Sequence, residues 1–238
     1  MSSLTAPTEV FAAETDGRCA VVFLARLRHL EGPSVRRRHG ERVAEQLDRM
    51  ADAGWSLSVD HVFGGDNAPT GYASGFAHDV DVVGAFEAPN AAEALEGTVA
   101  LEDAGWAALA RTEWLLGVRE FAPTPAEHGD RPWGFVALWQ WNDAWQAASA
   151  DEVRAYDADC DVAFRHDLDA GARIAGRHRL DWASRWHHVG IWETPTFAML
   201  DRAMRDHERV ADFAFTTSRH YVGRRAPLVD LLVEGHHA

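Results

Sequence analysis

Apolar and polar residues alternate with period two through Cys19–His29, Ser56–Phe63, Tyr72–Phe86 and Thr112–Phe121. That alternation predicts four strands, the third bent near Asp79. Between the first two the period changes. Val43, Leu47 and Met50 recur at helical spacing, so a helix is predicted over Val35–Ala53, with Ser34 as its N-cap and Gly54 as its end. A second helix is predicted over Asn90–Asp103, capped by Asn90, and Gly64–Pro69 reads as a turn-rich loop. The order β-α-β-β-α-β is that of a ferredoxin-like unit.

The pattern then starts again. Ala122–Pro132 holds three prolines and reads as a linker. After it come a strand over Trp133–Trp141, a helix from Ser149 to about Ala170 with Ser149 and Glu152 as a capping box, and a strand pair over His178–Arg185 and Trp186–Trp192. A helix over Thr196–Val210 and a strand over Ser218–Arg224 complete it. The frame Val-Gly-x-aromatic-Glu-small-Pro occurs at Val83–Pro89 and again at Val189–Pro195, an offset of 190 − 84 = 106 positions, which also carries Gly117 onto Gly223. Repetition at that length means two copies of a small domain. The predicted fold is α+β: an arm (1–18), two tandem ferredoxin-like repeats (19–121 and 133–226) joined by the linker (122–132), and a tail (227–238) ending in a solvated His236-His237.

Two such sheets bury their second faces by closing on each other as one barrel. Strand alternation then sorts the side chains. The smaller aliphatics Val136, Leu138, Val189 and Ile191 are expected against the helices. Phe135, Trp139, Trp141, Trp186, His188 and Trp192 are expected in the space between the sheets. Arg26 and Arg28 take the places in the first repeat that Trp139 and Trp141 hold in the second.

Several residues are candidates for chemistry. An imidazole at His188 in an aromatic-lined cavity serves as a general acid/base or as an axial ligand to haem iron; otherwise it is a satisfied core histidine. Inward arginines at 26 and 28 either meet an anion or oxyanion or pair with a carboxylate of the opposite sheet. His61, and one of the neighbours His220 and Tyr221, join the candidate lining; simple packing is the competing reading for each, as it is for Cys160 on an inward helical face. Glu87 and Glu193 occupy the same place in both copies, which points to a role in the fold, such as capping the following helix. Adjacent histidines on a strand face opposite ways, so His187 and His188 with His178 form no ready tridentate metal set. No P-loop, GxGxxG, GxSxG or HExxH occurs.

Composition narrows the partners. The net charge of −14, from 23 basic and 37 acidic residues, argues against a nucleic-acid backbone. The basic residues are arginines, read as GC-rich coding first. Two cysteines, Cys19 and Cys160, match no zinc or redox spacing, and the start of the chain lacks a signal-peptide pattern. No run reaches membrane-spanning length. A reduced cytoplasmic protein is expected, with a homo-oligomer allowed. Ten tryptophans predict an aromatic-lined core or pocket.

Trp145 ahead of Asp151-Glu152, Leu180-Asp181 before the third strand of the second repeat, and a late helix leading to Val222-Gly223 carry a resemblance. The chain resembles the dimeric α/β-barrel superfamily in its fused form, and its second half is similar to that of the chlorite dismutase and coproheme decarboxylase group. The resemblance implies haem, with an axial histidine on the first helix of the second half. Here Cys160 is the nearest match to that position, and His166 falls ~220° from Val153 on a regular helix, facing outward. The leading expectation is therefore an enzyme of bacterial specialised metabolism with haem-dependent oxidative or dehydratase-type chemistry on a small nitrogenous or aromatic metabolite. His188 or His166 would ligate the iron, and Arg26 or Arg28 would lie near the propionates or on the distal side. Trp139, Trp141, Trp186, Trp192, His61 and Tyr221 would line the substrate site, with His220 joining His188, Arg26 and Arg28 as a catalytic residue. The alternatives are a cofactor-independent monooxygenase, cyclase or isomerase using His188 as acid/base, and a protein that binds a hydrophobic ligand without turnover.

Overall fold

The computed structural model describes residues 10–14, 16–29, 32–74, 77–126, 129–210 and 212–234; His236 and His237, and most of the predicted arm, lie outside them. The first half contains β1 (Cys19–Leu27), α1 (Pro33–Asp52), α2 (Val59–Val62), β2 (Thr70–Ala73), β3 (Val82–Ala88), α3 (Ala91–Leu101) and, after a wider turn over Glu102–Trp106, α4 (Ala107–Leu109) and β4 (Ala110–Phe121). The second half contains β5 (Trp133–Trp141), α5 (Asp143–Ala147), α6 (Ala150–Asp169), β6 (Arg173–Arg179), β7 (His188–Thr194), α7 (Phe197–Arg209), α8 (Asp212–Phe215), β8 (Thr216–Pro227) and α9 (Leu228–Glu234).

The helices begin where the sequence supplies caps. Pro33 opens α1 with its φ pre-set, so the N-cap is Gly32 and not the expected Ser34, which lies inside the first turn. Asn90 and Thr196 accept from the backbone at Glu93 and Met199. Ser149 and Glu152 form the reciprocal capping box of α6. Glu87 and Glu193, three residues before the Asn90 and Thr196 caps, do not cap helices.

The eight strands close into one antiparallel barrel in the order β1-β3-β2-β8-β5-β7-β6-β4. Each half supplies four consecutive strands, and the halves meet at two seams, β2 with β8 and β4 with β6. Both repeats thus follow the predicted β-α-β-β-α-β order, with two corrections. Ser56–Phe63 is not a strand: Ser56 makes a single bridge to Glu87, and Ser58 then caps α2. The stretch expected as one bent strand, Tyr72–Phe86, turns back near Asp79 and supplies both β2 and β3. In the second half the strand pair lies at Arg173–Arg179 and His188–Thr194, about five residues before and two after the expected starts.

The two faces of the barrel are the reverse of the expectation. Val136, Leu138, Val189 and Ile191 pack with Val22, Leu24, Val83, Ala85, Leu115 and Tyr221 in a cluster drawn from strands of both halves, which is the barrel interior. Phe135, Ala137, Ile174 and Trp192 pack outward with Phe164, Leu168, Leu200 and Met204 of α6 and α7. An eight-stranded barrel has an interior just wide enough for side chains, so branched aliphatics fill it. Phe135, Trp139 and Trp192 lie on the outer face, where helices stand off the sheet. Trp186 joins the interior cluster, not the outward one.

The apolar run in the tail is α9. Leu228, Leu231 and Leu232 are buried in the cluster beneath α1 and α3. Gly40 of α1 lets it approach, since a Cβ there would lie 2.3 Å from Val233. Near the other end, Phe11 is buried and Ala13 bridges Phe121, so the described part of the arm is docked along the end of β4, with Phe11 reaching Phe164 of α6.

Candidate functional site

A cavity of about 110 Å³ lies between the outer face of the second sheet and α6 and α7. Trp139, Trp141, Trp192, Phe135 and His220 reach it from the strands, Tyr156, Asp157, Cys160, Phe164 and Asp167 from α6, and Met204 and His207 from α7. Phe11 closes it from the arm and contacts Phe164 edge to face at 4.8 Å. Phe164 lies parallel to Trp192 at 6.2 Å.

Charge enters the cavity at two places. On one side is Arg177, brought there by irregularities along both edges of β6. The pairing slips between Arg119 and Phe121 on β4, and β6 slips against β7 between Ile174 and Arg177. Gly176 makes the second possible: its φ is +95°, and an added Cβ would meet the Phe121 carbonyl at 2.5 Å. Arg177 Nε donates to Glu120 at 2.8 Å, and the guanidinium lies 4.1 Å over the Phe121 ring. The terminal nitrogens of Arg177 make no protein hydrogen bond among the described residues. His188 Nε2 lies 3.5 Å from the same Glu120 carboxylate. Burial raises the Glu120 pKa, but the His188 hydrogen bond and the Arg177 charge more than offset it, leaving the carboxyl at about 2. Burial moves His188 the other way, below its ordinary value, so the ring is neutral near pH 7. With Nε2–H facing the carboxylate, Nδ1 carries the lone pair, and it is buried without a hydrogen-bond partner.

On the other side Asp167, 2 % exposed, accepts from His207 through Oδ2 at 3.1 Å, while its Oδ1 has no partner.

Of the residues singled out in the sequence, Trp139, Trp141, Trp192 and His220 line this cavity. His188 stands on the same sheet face, stacked on Trp139 at 5.4 Å and edge-on to Trp141 at 5.9 Å, one side chain behind the cavity wall. Of the pair left open, His220 faces the cavity and Tyr221 the barrel interior. Others lie elsewhere. Arg26 and Arg28 are exposed at the end of β1, because their strand leaves the barrel there. His61 sits on α2 with Nδ1 3.0 Å from Ser56 Oγ. Trp186 is in the barrel interior under Arg185. His166 points away from the cavity, its side chain 59 % exposed and 3.8 Å from Asp206.

Sequence reading missed Arg177, Glu120, Asp167 and His207. A Gly at 176 within an alternating strand is the local sign of a bulge, but which arginine it re-aims is decided by pairing. For Asp167 and His207 no local signal exists, since they meet between two helices.

Glu87 and Glu193 anchor two buried ion networks, one from each repeat. Glu87 is bonded by Arg18 and Arg119, with His178 at 3.3 Å. Glu193 takes Arg173 Nε at 2.9 Å and the Tyr72 hydroxyl at 2.7 Å. Their shared position therefore serves the barrel.

No family model matches the sequence, and no curated protein matches it. Solved structures do. A double mutant of chlorite dismutase from Candidatus Nitrospira defluvii superposes with a TM-score of 0.70 at 14 % identity, covering 92 % of this chain and 95 % of that one. A single mutant of the same enzyme gives 0.71 at 13 % identity over 93 % and 95 %, and its complex with imidazole 0.66 at 14 % over 93 % and 95 %. The fold is that of the chlorite dismutases. At this identity the likeness carries the architecture and leaves the chemistry to the residues of this chain.

The chlorite dismutase resemblance implies a haem held by a histidine of α6, and the residues present do not fit that arrangement. The cavity-facing side of α6 carries Tyr156, Cys160, Phe164 and Asp167. Phe164, Phe11 and Trp192 fill the gap between helix and sheet. The remaining 110 Å³ compares with the ~150 Å³ cavity that takes one benzene, so it admits a small ring, not a porphyrin. No helix among the described residues is long and apolar enough to cross a membrane.

Proposed function

We propose that the chain is an enzyme that moves a proton on a small planar, aromatic or nitrogenous metabolite held against Trp139, Trp141 and Trp192, in the manner of a cofactor-independent isomerase, cyclase or oxygenase. The line Arg177–Glu120–His188 beside the cavity carries this reading. Arg177 offers its two terminal nitrogens to a carboxylate or a developing enolate oxygen. His188, one side chain behind the cavity wall, accepts the proton at Nδ1 when the Trp141 ring beside it turns aside. Glu120 holds the opposite ring nitrogen and stabilises the imidazolium that forms. A neutral imidazole next to an ionised carboxylate is the protonation state this task needs, and burial of His188 with the low Glu120 pKa supplies it.

Phenylpyruvate tests the proposal, because it joins a single planar ring to a carboxylate and an acidic methylene. Saturable quenching of tryptophan fluorescence is expected, weakened about tenfold in Arg177→Gln, which corresponds to about 1.4 kcal/mol. Proton NMR in heavy water is expected to show faster methylene exchange with the wild type than without protein, and none above background with His188→Gln. Binding without exchange in the wild type would leave a ligand-binding protein and defeat the enzymatic reading.

A haem-dependent oxidative or dehydratase-type reaction on the same substrate class is the second reading. The chlorite dismutase architecture over most of the chain favours it. It requires Phe164 and Phe11 to move and a ligand other than an α6 histidine. A visible spectrum of the protein expressed with excess haem precursor tests it: a Soret band abolished by one cavity substitution supports it, and a colourless protein removes it.

A further inference from the structure

Asp167 Oδ1 is a buried carboxylate oxygen without a partner, on the wall of an apolar cavity. A carboxylate offers about four acceptor sites on its two oxygens, and here one oxygen is served by His207 and the other by nothing. Leaving such an atom unpaired in an apolar setting costs free energy, so native structures keep it for a purpose. The surroundings show what it suits. Phe164 lies 4.8 Å from His207 edge to face, and Phe11 and Trp192 flank Phe164. A buried carboxylate on the wall of an aromatic-lined cavity suits a protonated amine, through one charge-assisted hydrogen bond and attraction to ring faces.

We infer that the cavity has a second, cation-binding pole at Asp167, and that its ligand carries a protonated amine on an aromatic framework. The inference rests on the reading that this cavity is the substrate site, and it narrows the substrate class from nitrogenous to cationic. The two poles are separate. Asp157, which faces Arg177, and Asp167 are ten residues apart on α6, ~15 Å along its axis, so each pole answers to its own probe.

2-Phenylethylamine and its uncharged analogue propylbenzene are titrated at pH 7 against tryptophan fluorescence, with phenylpyruvate as the probe of the Arg177 pole. The wild type is expected to bind 2-phenylethylamine at least tenfold more tightly than propylbenzene. Asp167→Asn, of the same shape, is expected to lose that preference. Equal binding of the amine and the hydrocarbon by the wild type overturns the inference, and this comparison needs no variant. So does an unchanged preference in Asp167→Asn. Failure of the amine with intact binding of phenylpyruvate by the wild type overturns the cation pole alone. Failure of all three overturns the pole together with the substrate site.

Discussion

Replacing Glu120 by Gln tests the seam on which the site is built. The carboxyl sits at about 2 rather than its ordinary 4.5, and its side chain is only 12 % exposed. At 1.36 kcal/mol per pH unit, that displacement corresponds to about 3 kcal/mol of stability at neutral pH. Removing one member of a buried pair costs a similar amount, because Arg177 is left charged and uncompensated. A depressed carboxyl pKa stabilises the fold above the unfolded value and loses that contribution as pH falls toward the folded one. The wild type should therefore weaken between about pH 4.5 and about pH 2, with Glu87, also held at about 2, contributing in the same window. Urea unfolding followed by far-ultraviolet dichroism from pH 7 to pH 2 reads both effects. At pH 7 the Glu120→Gln midpoint should drop by about 1 M, for a denaturant slope of about 3 kcal/mol/M. Its acid limb should keep only the Glu87 share, roughly half. A variant with the wild-type midpoint and the wild-type acid limb would show that the Arg177–Glu120–His188 line stores no such energy, and the site argument would lose its base.

Other outcomes follow from single positions. The His188 ring should titrate below its ordinary range by NMR, and further down in Glu120→Gln, which removes the bond that favours its charged form. Gly176→Ala should cost more than about 2 kcal/mol, because positive φ and a Cβ against the Phe121 carbonyl act together, and lower the melting temperature by several degrees. Tyr72→Phe should destabilise by about 1–2 kcal/mol, since Glu193 loses a buried donor. Arg26→Ala and His166→Ala should leave stability within about 0.5 kcal/mol and leave ligand binding unchanged; a haem-type role for either would show as lost binding.

Period and capping chemistry act locally, so they were legible in the chain: the two repeats, the long helices α1 and α6, and the Asn90, Ser149 and Thr196 starts follow from neighbours a few residues away. Ser56–Phe63 misled because an alternating run that contains a capping serine, Ser58, suits a short helix as well as a strand. The inward Cys160 and outward His166 of α6 were also readable.

Which sheet face meets the helices was not. Alternation separates Phe135 and Trp139 from Val136 and Leu138, but a one-residue change of phase exchanges the two faces without changing the pattern. Only the closed barrel, whose interior Val136, Leu138, Val189 and Ile191 help to fill, placed the aromatics under α6 and α7. The site itself depended on tertiary structure still more strongly. Glu120 and Arg177 come from different repeats and meet only because strands slip at one seam, and Asp167 meets His207 across two helices. The sequence by itself determined which elements form and that they come twice. Tertiary structure decided which face is inside and which charges share a cavity, because those depend on pairing and packing between segments that the chain does not place side by side.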